Sequence, residues 1–226
     1  MCKLTGLKRL DLSGNNLTGD VMQCWNESHN NAPVSSANSA YQFGSIMTTL
    51  SLSNNELSGE FPSFLQRSSQ LRFLDLSYNK FFGALPKWLP ENMPQLQILR
   101  VRSNMFSGII PKNLTGLQSL YHLDIACNNI SGSIPWSLSS LKAMRVISRK
   151  RLDYDFQENN LEVSDFEESI SVITKGQTLD YTFRIYGLVV NLDFSCNSLT
   201  RQILEEIKLL LGLTNLNLSS NQLIGK

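Results

Sequence analysis

The sequence predicts a solenoid: a stack of short coils that lays a parallel β-sheet along a concave side and returns the chain along a convex one. Three observations predict it. One string recurs seven times: LDLSGNNLTG from Leu10, LSLSNNELSG from Leu50, LDLSYNKFFG from Leu74, LRVRSNMFSG from Leu99, LDIACNNISG from Leu123, LDFSCNSLTR from Leu192 and LNLSSNQLIG from Leu216. The steps between these leucines are 40, 24, 25, 24, 69 and 24 residues, so four are about one period and two are one period plus an insertion of 16 or 45. An asparagine follows each leucine at a fixed distance, at Asn15, Asn55, Asn79, Asn104, Asn128, Asn197 and Asn221.

Each part of the repeat has a physical reason. Alternating apolar residues, such as Leu10 with Leu12 and Leu74 with Leu76, read as a short strand with one buried face. Parallel strands need a crossover, and the rest of each period supplies it. The asparagine amide carries donors and an acceptor, so it can satisfy turn backbone on its own coil and the next, forming a ladder through the stack. A glycine follows (Gly19, Gly59, Gly83, Gly108, Gly132, Gly225), where the backbone turns tightly. A proline (Pro62, Pro86, Pro111, Pro135) ends local pairing on the return path. Two copies depart from the pattern. Arg201 and Leu204 replace the glycine and proline, and Asp20-Val21-Met22 lacks the proline, so a less regular backbone is expected there.

The segments LSGEFP at 57–62, FSGIIP at 106–111 and ISGSIP at 130–135 resemble the plant-specific class of extracellular leucine-rich repeat. The resemblance covers nearly the whole chain apart from two inserts. It implies an α/β solenoid: a right-handed, curved leucine-rich-repeat superhelix with the parallel sheet concave and turns, 3₁₀ pieces or second-sheet strands convex. The expected organisation is five repeats over 1–142 with a loop insert at 21–46, a second insert at 143–187, and two repeats over 188–226. Capping segments are not apparent at either end, so the chain reads as part of a longer ectodomain.

The first insert, polar and rich in Asn, Ser and Ala, reads as a solvated loop. The second opens with a basic cluster (Arg145, Arg149, Lys150, Arg151), runs through an acidic stretch and ends in SISVITKGQTLDYTF. Ile170 and Val172 alternate with polar residues, as do Leu179, Tyr181 and Phe183, and a Lys-Gly-Gln turn separates the runs, so a β-hairpin is expected. This segment resembles the island domain of plant leucine-rich-repeat receptor-like proteins. Lys175 and Tyr181 fit that family's Lys-x5-Tyr motif; Lys175-Gly176 fits its Tyr-x8-Lys-Gly motif, with Phe166 in place of the tyrosine. The resemblance implies that Phe166, Lys175, Gly176 and Tyr181 contribute to ligand recognition and to docking a co-receptor kinase ectodomain.

Residues between the buried strand leucines point outward in columns. The third to fifth copies carry Arg72, Phe73, Tyr78, Arg100, Arg102, Tyr121 and His122 there, where other copies hold mostly Ser, Thr, Asn and Asp. Exposed aromatics beside arginine are the residue types that dominate interface hot spots, so these seven form the expected ligand-binding face. Asp75 and Asp124 share the Arg100 column and are the competing explanation, as ion-pair partners.

Four cysteines allow three pairings. Cys2 and Cys24 fall at phases 16 and 14 of the period, close together on successive coils, and a disulfide between them is expected. Cys127 and Cys196 each precede a ladder asparagine, side by side on parallel coils; that is poor disulfide geometry, and free thiols are expected. Among five glycosylation sequons, at Asn16, Asn26, Asn113, Asn129 and Asn217, Asn26 and Asn113 are the expected accessible acceptors.

Composition narrows the function. A net charge of +1 gives no electrostatic case for nucleic acid. No apolar run approaches the ~18 residues of a membrane span. His29 and His122 are the only histidines, and zinc spacings, GxGxxG, Walker and kinase motifs are absent, so neither catalysis nor a cofactor is expected. The expected function is non-catalytic recognition by a plant cell-surface receptor-like protein, with an extracellular peptide, glycan or protein as ligand and a co-receptor leucine-rich-repeat kinase ectodomain as partner. A secreted inhibitor of microbial cell-wall hydrolases, or a non-functional remnant of a receptor gene, is the alternative.

Overall fold

The computed structural model describes residues 6–20, 44–146, 169–174, 177–182 and 189–225. Cys2, Cys24, Asn26, Phe166, Lys175 and Gly176 lie outside the described residues, as does most of the first insert. Each coil contributes two short strands. The first coil has β1 (Arg9–Asp11) and β2 (Thr18–Asp20), and the second β3 (Thr49–Ser51) and β4 (Glu56–Gly59). Then come β5 (Phe73–Asp75) with β6 (Lys80–Ala84), β7 (Ile98–Arg100) with β8 (Met105–Ile109), and β9 (His122–Asp124) with β10 (Asn129–Gly132). The hairpin strands β11 (Ser169–Thr174) and β12 (Gln177–Thr182) precede β13 (Asn191–Asp193), β14 (Ser198–Arg201), β15 (Asn215–Asn217) and β16 (Gln222–Leu223).

The strands sort into two parallel sheets. The concave sheet has the order β1-β3-β5-β7-β9-β13-β15, and a second sheet has the order β2-β4-β6-β8-β10-β14-β16. The repeat leucines align across the first: Leu10 with Leu50, Leu50 with Leu74, Leu74 with Leu99, Leu99 with Leu123, Leu123 with Leu192 and Leu192 with Leu216. Leu123 and Leu192 are 69 residues apart and still occupy adjacent rungs, so the stack passes the second insert without losing register.

The core lies between the sheets. Leu50, Leu74, Leu99, Leu123 and Leu192 are fully buried, as are Leu52, Leu76, Val101 and Ile125 two positions on. Each such side chain contributes about 1.5–3 kcal/mol by leaving water. Phe81 and Phe106 stack at 6.3 Å behind the second sheet. On the return path, 3₁₀ turns at Ser63–Arg67, Lys112–Gly116, Trp136–Ser140 and Glu205–Leu209 each turn one leucine or isoleucine toward this core.

The asparagine ladder forms. Asn104 Nδ2 donates to the carbonyls of Leu76, Val101 and Arg102 at 2.9, 3.1 and 3.2 Å, and its Oδ1 accepts from Phe81 N–H at 3.0 Å. One amide thus ties its own turn to the preceding coil. Asn55, Asn79, Asn128, Asn197 and Asn221 repeat the arrangement, with Asn197 crossing the insert to Ile125 O and Ile130 N–H.

The expected irregularity at the sixth coil is not present. Arg201 takes φ +70°, matching Gly132 at +80°, and Leu204 holds φ −76° and ψ 141°, close to Pro135 at −66° and 130°. Neighbouring coils impose their backbone on a sequence that lacks the usual residues. At Gly132 the requirement is also spatial: a Cβ there would stand 2.9 Å from Ile109 Cγ2.

The helical turn α1 (Leu89–Asn92) lies on the return path, and α2 (Lys142–Arg145) lies where the second insert departs. Gly212 N–H donates to Met144 O at 2.9 Å, and the same glycine lies so close to Val146 O that an added Cβ would fall 2.2 Å from it. The expected hairpin is present: β11 pairs antiparallel with β12, Thr174 opposite Gln177, so Gln177 belongs to the strand and two residues connect the pair. The register sets Ile170 opposite Tyr181 and Val172 opposite Leu179.

Candidate functional site

The outward columns of β5, β7, β9 and β13 bring together the charged and aromatic residues singled out in the sequence. The first column runs Asp11, Ser51, Asp75, Arg100, Asp124, Asp193 and Asn217; two positions on, the next runs Ser13, Ser53, Ser77, Arg102, Ala126, Ser195 and Ser219. The aspartates are fixed by their own turns: Asp75, Asp124 and Asp193 each accept the N–H of the residue two ahead, at 2.9–3.1 Å.

The arginines complete this network. Arg100 Nη1 lies 3.0 Å from Asp75 Oδ2, within one column as anticipated. Asp124 instead pairs with Arg102, whose Nε donates to its Oδ2 at 2.8 Å. Arg102 Nη2 reaches on to Asp193, 91 residues away in sequence, so one guanidinium binds three consecutive rungs and bridges the insert junction. The next residue in the Arg102 column is the small, buried Ala126. Among the described residues, Arg100 Nε and Ser77 Oγ are buried polar atoms without a hydrogen-bond partner.

Burial sets the proton affinities. It favours proton loss from Arg102, but Asp124 and Asp193 outweigh it and leave the guanidinium above its ordinary value. Burial pushes the Asp124 carboxyl up; Arg102 opposes this and Asp193 adds to it. His122 is pushed down to about 3, first by burial and then by Arg100 and Arg102, so its imidazole is neutral. Its Nε2 lies 3.4 Å from Asn191 Nδ2.

The expected binding face therefore divides. Arg72 and Phe73 are half-buried, Tyr78 is 45% exposed, and Arg100 keeps a partly exposed side chain. Arg102, Tyr121 and His122, expected to be open, are buried. Tyr121 joins the apolar core, His122 sits between Ile98 and Asn191 on adjacent strands, and the Nε and Nη2 of the Arg102 guanidinium are each held by a carboxylate. Strand alternation gives a side chain's direction; rungs about 4.7–4.9 Å apart decide how far its neighbours cover it.

Tyr78 shows a feature that pattern reading missed. The residue before each ladder asparagine is left-handed: Gly14, Asn54, Tyr78, Ser103, Cys127, Cys196 and Ser220 have φ between 50° and 67°. A non-glycine residue there costs roughly 1–2 kcal/mol, opposed by the ladder bonds that hold the turn. Tyr78 is exposed on this backbone. Cys127 and Cys196 occupy this column on adjacent rungs as free thiols. Asn113 is exposed as expected, but so are Asn16 and Asn129, because they follow the turn on the outer side. Asn217 is half-buried, with Nδ2 3.3 Å from Asp193 Oδ2.

Residues 6–26, 47–68, 70–92, 95–117 and 119–141 each match the Leucine Rich Repeat family. Receptor-like protein 7 of Arabidopsis thaliana is 42% identical over 96 residues, covering 42% of this chain and 9% of that protein. Receptor-like protein 34 of the same plant is 30% identical over 172 residues, covering 76% of this chain and 18% of that protein. The chain belongs to the leucine-rich-repeat proteins, of the plant receptor-like type. It spans less than a fifth of the length of either of these two receptor-like proteins. Among solved structures it resembles the Arabidopsis receptor kinase HAESA, crystallised with the peptide hormone IDA and the co-receptor SERK1. The identity is 25% and the TM-score 0.63, over 96% of this chain and 26% of that one. No helix among the described residues of this receptor-like chain is long and apolar enough to cross a membrane.

Proposed function

We propose that this chain is a non-catalytic recognition segment of a plant cell-surface receptor-like protein, working on the extracellular side of the plasma membrane in defence or developmental signalling. It binds an extracellular peptide, glycan or protein and a co-receptor kinase ectodomain. The observation that carries this reading is the third coil, which presents an exposed Tyr78 on a left-handed backbone together with half-buried Arg72 and Phe73. Exposed tyrosine together with arginine is the residue combination that dominates interface hot spots. Arg72, Phe73, Tyr78 and Arg100 are the contact residues in this reading, while Arg102, Tyr121 and His122 shape the surface from beneath. The likeness to HAESA, solved with a peptide hormone and a co-receptor, supports both kinds of partner.

The segment 143–187 serves as the island in this reading, with Phe166, Lys175, Gly176 and Tyr181 toward the co-receptor. Cys2 and Cys24 form a disulfide, and Asn26 and Asn113 carry glycans. The test is capture of leucine-rich-repeat kinase ectodomains from a plant panel by the full-length receptor. Joint Lys175→Ala and Tyr181→Ala substitution should lower capture about tenfold or more, the size of a hot-spot loss. Joint Phe73→Ala and Tyr78→Ala substitution should instead weaken capture of secreted ligand from plant extracellular fluid. Unchanged capture in both experiments refutes the reading.

A further inference from the structure

We propose that Cys127 and Cys196 form a reversible redox site, a cross-rung dithiol that a low-molecular-weight disulfide converts into an intramolecular disulfide across the base of the second insert. The two residues are 69 positions apart in sequence and adjacent in space. Cys127 N–H donates to Ser195 O at 2.9 Å, and Asn128 N–H donates to Cys196 O at 3.2 Å, which places the two cysteines at the same level of neighbouring rungs. Both are left-handed, at φ 50° and 55°, so their side chains leave the backbone in the same sense. The Cys196 thiol lies close enough to act on the Cys127 thiol and raise it. Cys196 is exposed and Cys127 partly so, and a small reagent can reach the pair. Among the described residues no other rung carries a thiol in this column.

Rung spacing of about 4.7–4.9 Å lies inside the Cα window of about 4.4–6.8 Å that a disulfide accepts. Parallel side-chain vectors hold the Cβ atoms near that same spacing, wider than the mean of about 3.8 Å in disulfides. Closure must draw the two turns together, and a bond made against such resistance is readily reduced. The pair is therefore a labile site rather than a permanent staple, consistent with the free thiols observed.

The chemistry balances with oxidised glutathione as oxidant. The Cys196 thiolate attacks one glutathione sulfur; the glutathione S–S bond breaks, a Cys196–glutathione disulfide forms, and one glutathione thiolate leaves and takes up a proton. The Cys127 thiolate then attacks the Cys196 sulfur and expels the second glutathione. Two protein thiols are oxidised to one disulfide and one glutathione disulfide is reduced to two thiols. Burial, and then the neighbouring Cys196, push the Cys127 thiol up to about 11, so the second step is slow near neutrality and accelerates about tenfold per pH unit below that value. The new bond runs alongside the Asn197 and Arg102 ties that already cross this junction.

The experiment treats the full chain, made without glycans, with oxidised glutathione at about pH 8, then blocks thiols with N-ethylmaleimide and digests with trypsin. The cysteines fall in separate peptides, 113–142 and 185–201. The expected result is a linked species about 2 Da below the summed peptide masses, one bond formed with loss of two hydrogens, which millimolar reduced glutathione reverses. The Cys127→Ser variant should stop at a Cys196–glutathione adduct. Separate glutathione adducts on both cysteines without a linked species, full maleimide labelling of both after oxidation, or a linkage that glutathione leaves intact overturns the proposal.

Discussion

Replacing His122 by asparagine should remove an acid-dependent loss of stability whose size follows from burial. The folded chain holds His122 at about 3 against an ordinary 6.5, so between those values the folded state binds fewer protons than the unfolded one. The sign follows: this contribution is fully present above the ordinary value and is lost as pH falls toward the folded one. At about pH 5 the unfolded imidazole is almost wholly protonated and the folded one is not, which lowers stability by about 2 kcal/mol relative to neutral pH. Asp124 contributes the opposite slope, because its raised carboxyl favours the folded state at low pH and that advantage fades as pH rises past the ordinary value. The difference between parent and variant isolates the histidine, since His122→Asn exchanges one neutral side chain for another in the folded state and removes the titrating group from the unfolded one. Urea unfolding at about pH 7.5 and about pH 5 reads it: the parent should lose about 2 kcal/mol more than the variant on acidification. Equal losses in the two proteins would show that His122 titrates normally, and the assigned burial of the concave face at β9 would be wrong.

Two further outcomes follow from the same contacts. Asn104→Ala strips the Phe81 N–H of its acceptor and three carbonyls of a donor, and should cost about 2–4 kcal/mol in urea unfolding, with the exposed Asn16→Ala near zero. Arg102→Ala leaves Asp124 and Asp193 buried without their cation and should cost about 3–5 kcal/mol; adding Asp193→Asn should recover part of the loss, and no recovery would mean the pair does not share that guanidinium.

The architecture was legible because its signal is redundant. Seven copies fix the period, and the remainder of 45 in one step is enough to pair Leu123 with Leu192. The ladder followed from the chemistry of one amide recurring at one position. The site was less legible. Alternation placed Arg102, Tyr121 and His122 on an outward face but carried nothing about cover from neighbouring rungs. The Arg102–Asp193 contact depends on a two-rung reach, and the rung it passes carries Ala126, the single alanine in a column otherwise of serine and arginine. The regular backbone at Arg201 was hidden because local preference pointed the other way while the flanking coils decided the conformation.

The unbroken pairing of β9 with β13 has a consequence for how such a molecule can change. The points where the long excursion leaves and rejoins the array are separated by a single step of the stack, whatever lies between them. Doubling the excursed length adds only about 0.6 kcal/mol of closure entropy, while the leucine and asparagine files on either side stay aligned. That junction is a socket: segments of different length and chemistry can be exchanged there, and the scaffold that presents them need not be rebuilt.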